Sequence, residues 1–137
     1  MSFDLERFTV AQDREYGTVL AELSSGQKSG HWIWFIFPQI AGLGQSAMSR
    51  HFAISSLDEA RAYLAHPVLG ARLRECTRLV LAIHGRTAND IFGSLDAMKV
   101  RSSMTLFHRA DPDDPDFALV LDRYYGGVAD AATDALL

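Results

Sequence analysis

Asp96, Lys99, Ser102 and Ser103 are the residues of this chain whose types and spacing best fit chemistry. Positions three and four apart face one another on a helix, so Asp96 meets Lys99, and Lys99 meets Ser102 or Ser103. A lysine kept from water beside a serine is the pairing used in Ser–Lys nucleophilic catalysis. The plainer reading is a surface ion pair, with hydroxyls bonded to the preceding helical turn. Leu95, Met98, Met104, Leu106 and Phe107 make the same segment apolar on more than one side, which predicts that some of its polar groups are held inside. Buried polar groups need partners, and a few polar groups in an apolar wall is the usual composition of a ligand site.

A second candidate is Lys28-Ser29-Gly30-His31, which directly precedes Trp32-Ile33-Trp34-Phe35-Ile36-Phe37-Pro38-Gln39. Lys28 and His31 suit an anionic ligand, with Trp32 or Trp34 as a stacking face. The plainer reading is a solvated loop and an aromatic stretch that is simply core. Each aromatic ring buries about 150–250 Å², so the stretch is central to the core or lines a deep pocket.

Two further motifs carry less. Gly42-Leu43-Gly44-Gln45-Ser46 frees the backbone before a helix start at Ser46, where N–H groups can meet an anion. It lacks the third glycine and the acidic residue of a dinucleotide fingerprint. Asp111-Pro112-Asp113-Asp114-Pro115-Asp116 resembles a calcium loop in composition only. Pro115 stands where a ligand is required, and Asp116 where the glycine is required. A helix start rich in carboxylates explains it better. The histidines His31, His51, His66, His84 and His108 form no i,i+4 pair, and Cys76 is the single cysteine, so neither a metal site nor a disulfide is expected. No cofactor motif is present.

The elements that must position these residues read mostly as helices. Asp4–Phe8 is a short first turn, and Thr9–Leu23 follows with Tyr16, Val19, Leu20 and Leu23 at helical spacing. Ser56 and Glu59 fit a capping box for a helix to about Ala65. Pro67 suits the first position of the next helix, whose stripe of Leu69, Leu73, Cys76, Val80 and Ile83 runs to a stop at Gly85. Thr87–Asp90 starts a short helix that ends at Gly93. Ser94 caps another to Phe107 or Arg109, Pro115 opens a long helix ending at Gly126-Gly127, and Asp130–Leu137 forms a last short one. The aromatic stretch is apolar on every side, so periodicity cannot tell helix from strand there. The candidate strand partners are His51–Ser55 and Leu79–Ile83, the second of which the helical stripe claims, and a two-stranded element alone is marginal. The expected fold is mainly α: a compact single domain over residues 1–137 with at most one short β element near the aromatic segment.

Composition sets the remaining bounds. The chain has 137 residues, 48% hydrophobic and 22% charged, with a net charge of −4. It is long enough to bury a core without disulfides or metal. An acidic balance offers no electrostatic footprint for nucleic acid. Asp4, Glu6 and Arg7 interrupt the N-terminus before any apolar run forms, and no run approaches the ~20 residues that span a bilayer. The expectation is a cytoplasmic protein with no membrane or nucleic-acid partner and an open question of oligomeric state.

The blocks Arg7-Phe8 with Ala11-Gln12, the run His31–Gln39, Gly42-Leu43-Gly44, His66-Pro67-Val68-Leu69-Gly70, Ile91-Phe92-Gly93 with Asp96 and Lys99, and Ser102–Phe107 carry a family resemblance. They resemble domain-of-unknown-function family 1810, a bacterial family whose members often bear the label calpastatin. The resemblance covers nearly the whole chain and implies a mainly α-helical fold; it brings no established activity with it. The label denotes a disordered inhibitor. Eight Phe, four Tyr and two Trp within this apolar composition predict a packed core instead. A remoter similarity, in the pattern Met98-x-Val100, Leu106-Phe107, Phe117, Leu121 and Asp130, is to the NADAR group, which acts on ADP-ribose-related compounds and cleaves N-glycosidic bonds. The Glu-His pair of that group has no clear counterpart here.

Two readings of function follow. In the first, the protein binds a nucleotide-like or phosphorylated small molecule in a pocket walled by Trp32, Trp34 and Phe37. Lys28, His31, Gln39 and Ser103 supply contacts there. If the protein is an enzyme, the first reaction to test is N-glycosidic hydrolysis, with Asp96 as the carboxylate and Lys99 as electrostatic support. In the second, the aromatic strip is purely structural and the protein is a non-catalytic interaction module. The first requires that tracts around residues 28–39 and 96–103 converge on one cavity.

Overall fold

A computed structural model describes residues 3–137. Its first helix, α1 (Glu6–Ser25), is one continuous element rather than a turn followed by a helix. No Pro or β-branched run interrupts that span, and Phe8, Gln12, Val19 and Leu23 keep one face buried throughout. Gly26 ends it in the left-handed conformation, φ 79°, which glycine adopts without steric cost.

The aromatic stretch is both helix and extended chain. Ile33–Ile36 form a single turn, α2. Pro38 restricts the residue before it to extended backbone, and the chain runs on to Ile40. There it makes an isolated parallel bridge with Ile54, through Ile54 N–H to the Gln39 carbonyl and Ala41 N–H to the Ile54 carbonyl, both 2.8 Å. This bridge, with the expected partner segment, is the extent of β structure among the described residues.

Then follow α3 (Ala47–His51), α4 (Leu57–Ala65), α5 (Leu69–Ala82), α6 (Ala88–Phe92), α7 (Ser94–Ala110), α8 (Pro115–Tyr125) and α9 (Ala131–Ala135). Most begin on side-chain caps: Ser46, Ser56, Thr87, Asp114 and Asp130 each accept from a backbone N–H in the first turn.

Four local expectations need correction. Ser56 caps α4, but the Glu59 carboxylate does not close the box on Ser56. It accepts from Ser55 N–H at 2.7 Å and from Arg7 at 3.1 Å, because a buried carboxylate is better served by a guanidinium. The full box forms instead at Thr87 and Asp90. Pro67 precedes α5 rather than opening it, and His66 Nδ1 takes the Val68 and Leu69 N–H groups. That helix also stops at Ala82, with Ile83 already extended, short of Gly85. Ser94 lies inside α7; Gly93, at φ 78°, holds the N-cap position with no side-chain bond.

The core gathers around α7, which packs against α4, α6, α8 and α9. Six successive residues, Ser102–Phe107, are buried, so this helix faces protein on nearly all sides. Rings link the layers: Phe8 to Tyr63 at 5.1 Å, Tyr63 to Phe107 at 5.3 Å, and Phe107 to Phe117 at 6.0 Å. The fold is mainly α, and its central helix is the one that carries Asp96, Lys99 and Ser103.

Candidate functional site

Lys28 reaches the central helix because its loop is held from both ends. Its backbone N–H donates to the Ile91 carbonyl at 2.7 Å. From α1, the Glu22 carboxylate accepts Ser29 N–H at 2.8 Å, Gly30 N–H at 2.9 Å and the Trp32 indole N–H at 2.9 Å. A carboxylate offered this many donors favours its charged form. Burial works to raise the pKa, but the bonds from Gly30, Ser29 and Trp32 outweigh it and hold Glu22 down to about 2. A Cβ on Gly30 would lie 2.9 Å from Trp32 Cδ1, so the close approach needs glycine.

So anchored, Lys28 Nζ lies 2.6 Å from Asp96 Oδ2 and also donates to the Gly30 carbonyl. Lys99 Nζ takes the other oxygen, Asp96 Oδ1, at 3.1 Å. Two ammonium groups share one carboxylate, and each also faces an indole: Lys28 Nζ is 5.2 Å from the Trp32 ring centre and Lys99 Nζ 4.9 Å from that of Trp34. Burial alone would raise the Asp96 pKa, but hydrogen bonds and charge from Lys28 and Lys99 lower it on balance. The carboxyl is therefore ionised and unsuited to proton donation near neutrality.

A cleft of about 250 Å³ opens beside Lys99. Met98, Lys99 and Ser102 of α7 form its floor, the segment from Gln39 to Ser49 one wall, and Asp130 and Ala132 the other. The second wall is a C-terminal strap tied down by Arg101, which donates to the Val128 and Ala129 carbonyls, and by Arg109, bidentate to Asp134. Asp130 Oδ2 accepts from Ser102 Oγ at 2.8 Å and from Thr133 N–H and Oγ. Larger hollows exist, such as one of about 390 Å³ between the ends of α1 and α5 and one of about 500 Å³ beside Leu119. Neither brings together the chemistry-bearing residues, whereas the Lys99 cleft joins a partly buried ammonium to hydroxyl, amide and carboxylate groups.

The structure thus brings Lys28, Asp96, Lys99, Trp34 and Gln39 into one neighbourhood, with Lys99 and Gln39 on the cleft itself. Other candidates stand apart. Trp32 is 0% exposed, and its indole N–H is spent on Glu22, so it presents no stacking face. Phe37 is likewise enclosed and walls no opening. His31 is exposed and does not line the cleft. Ser103 lies wholly in the core, and its hydroxyl has no partner; the same is true of the buried Trp34 Nε1. The Ser–Lys pairing finds no geometry, since Lys99 bonds Asp96 and Ser102 bonds Asp130. Asp130 and Glu22 were the residues sequence reasoning missed. In the sequence Asp130 stands out as a helix start and within the NADAR-like pattern, and nothing in the spacing around Glu22 marks it.

Among the described residues no group of three or more His, Cys, Asp or Glu is placed to hold a metal ion. No described helix is long and apolar enough to cross a membrane.

Fold and cleft together define a mainly α protein whose central helix presents a lysine to a small opening lined by both apolar and polar groups. The chain belongs to the family of proteins of unknown function DUF1810, whose model matches residues 2–137. It is similar to the conserved hypothetical protein Rv1873 from Mycobacterium tuberculosis, at 52% identity over 98% of this chain and 96% of the other. The TM-score with that crystal structure, solved at 1.38 Å, is 0.97. No curated protein matched.

Proposed function

We propose that this protein binds a small molecule in the cleft between α7, the Gln39–Ser49 segment and the C-terminal strap, with Lys99 as its principal polar contact. One observation carries the reading. Lys99 is the second ammonium on a carboxylate already paired with Lys28, so the trio carries one net positive charge beside the cleft, and the Asp130 carboxylate stands on the cleft's other wall. Lys28 is the more buried of the two, its side chain 6% exposed against 26% for Lys99, so Lys99 is the one left available. The volume falls just under the ~300 Å³ at which drug-sized pockets begin and suits a metabolite.

N-glycosidic hydrolysis is the extension of this reading. Asp96 would have to stabilise a developing positive charge while two ammonium groups already occupy both its oxygens. The geometry therefore supports a role for Asp96 in holding Lys99, and the reading rests on binding. Release of free base from nucleosides, followed in the same samples, tests the hydrolytic extension.

The deciding experiment is thermal unfolding against nucleotides, ADP-ribose and sugar phosphates, on the wild type and Lys99→Met. A ligand at about 100 times its Kd stabilises by about 2.7 kcal/mol. The expected result is a shift in the wild type that disappears in Lys99→Met. A silent panel, or shifts equal in both proteins, would overturn the proposal and leave the interaction module as the reading.

A further inference from the structure

We infer that the ligand of this cleft is a small polyhydroxylated anion of the sugar-phosphate class, and that recognition uses no aromatic stacking. The inference rests on the binding reading above and names the kind of molecule it takes.

The first ground is the absence of an available ring face. No aromatic side chain lines the cleft. Trp32 is enclosed, and Trp34, with the Lys99 ammonium 4.9 Å from its ring centre, does not line the cleft. A flat base would find only Leu43, Met98 and Ala132 to lie against.

The second ground is the polar inventory. Gln39, Ser49, Ser102, Lys99 and Asp130 make up most of the remaining lining. The Gln39 amide both donates and accepts, and the Ser49 hydroxyl, which accepts from Ser46 Oγ at 2.9 Å, keeps its own proton to donate. Such paired donors and acceptors match hydroxyl groups, which also do both.

The third ground is the placement of charge. Lys99 supplies the positive charge on one side of the cleft. Across the cleft, all three bonds to the Asp130 carboxylate fall on Oδ2, and no described residue donates to Oδ1. That oxygen accepts from a ligand hydroxyl, while Lys99 takes the oxyanion. Asp130 holds Ser102 at 2.8 Å, and Ser102 and Lys99 lie three residues apart on one face of α7, so the carboxylate and the ammonium border the same cleft. A compact anion that also carries hydroxyl groups meets both partners. The oxyanion is a phosphate, and gluconate, which carries a carboxylate in its place, tests that choice.

Isothermal titration of the full chain with ribose 5-phosphate, gluconate, inorganic phosphate and adenosine provides the test. Ribose 5-phosphate binds, gluconate binds more weakly because its carboxylate brings less charge to Lys99, and adenosine gives no heat; gluconate binding as tightly as ribose 5-phosphate would overturn the phosphate assignment. Lys99→Met weakens ribose 5-phosphate binding by roughly tenfold or more, the loss of one charge-assisted contact. Asp130→Asn keeps the helix cap through its side-chain oxygen and, by removing a negative charge, leaves inorganic phosphate bound as tightly or more so, yet it costs the sugar phosphate its hydroxyl acceptor and narrows the preference for ribose 5-phosphate over inorganic phosphate. Adenosine binding that Lys99→Met abolishes would overturn the sugar-phosphate assignment while leaving the cleft reading intact. Equal affinity for inorganic phosphate and ribose 5-phosphate, with Asp130→Asn silent, would reduce the site to an anion contact and overturn the assignment too. No binding by any of the four, together with a silent wider panel, would overturn both readings.

Discussion

Lys28 Nζ and Asp96 Oδ2, from residues 68 apart in sequence, lie 2.6 Å from each other, with the Lys28 side chain only 6% exposed. That contact ties the loop ahead of the aromatic stretch to the central helix. It also decides which lysine faces the cleft. Because Lys28 holds one oxygen of Asp96 from the protein side, Lys99 can take the other only from the side of the opening.

Asp96→Asn therefore affects two lysines. It leaves a buried ammonium facing a neutral amide, and loss of one partner of a fully buried pair costs 3–5 kcal/mol. Asp96 keeps some solvent contact, so the expected loss is about 2–3 kcal/mol, below that range. Lys99→Met removes only the outer contact of the trio and is expected to cost less than about 1 kcal/mol. Urea unfolding of both variants checks the order. Equal losses would contradict the division of labour between the two lysines.

Glu22 should make stability acid-sensitive in a defined window. Its pKa falls from 4.5 unfolded to about 2 folded, so its contribution is fully present above about 4.5. As pH falls from there to about 2, the unfolded state takes up the proton first and stability declines. In Glu22→Gln this component vanishes, and the slope of unfolding free energy against pH between those values becomes shallower than in the wild type. Parallel slopes would show that the carboxylate is not held as the structure places it.

Arg7 fastens α1 to the segment joining α3 and α4. Its guanidinium donates to the His51 carbonyl at 2.9 Å, the Ala53 carbonyl at 2.8 Å and the Asp4 carbonyl, and pairs with Glu59 at 3.1 Å. Glu59 is 3% exposed, so Arg7→Ala strands a buried carboxylate and should cost about 3–5 kcal/mol. Arg7→Lys recovers little, because one ammonium cannot reach four acceptors in a planar fork. Chemical denaturation midpoints of the two variants should lie close together and well below the wild type.

Gly70 has no room for a side chain. A Cβ there would collide with the Leu64 carbonyl oxygen, a backbone atom that cannot rotate aside. Gly70→Ala should destabilise by at least the ~1–3 kcal/mol typical of overpacking. Gly17→Ala, where a Cβ meets nothing within 4 Å, serves as its control. That change in an exposed helical position should stabilise by ~0.5–1 kcal/mol. A melting comparison of the pair reads both signs.

The sequence alone determined what depends on neighbours in the chain. Ser46, Ser56, Thr87 and Asp130 announce helix starts because a short side-chain oxygen reaches an N–H two or three residues on. The Leu69–Val80 stripe announces one buried face, because helical spacing puts those residues on one side. The mainly α class and the Asp96–Lys99 pair were legible for the same reason. Tertiary structure decided everything that needed a partner from far away. It split the apolar-on-all-sides run at Pro38 into a turn and a bridge, closed Trp32 behind Glu22, sent Glu59 to Arg7, and left His31 outside. It also laid the Asp130 strap opposite Lys99. Those outcomes turn on which distant group offers a charged or desolvated side chain its best partner, and local spacing holds no record of that competition.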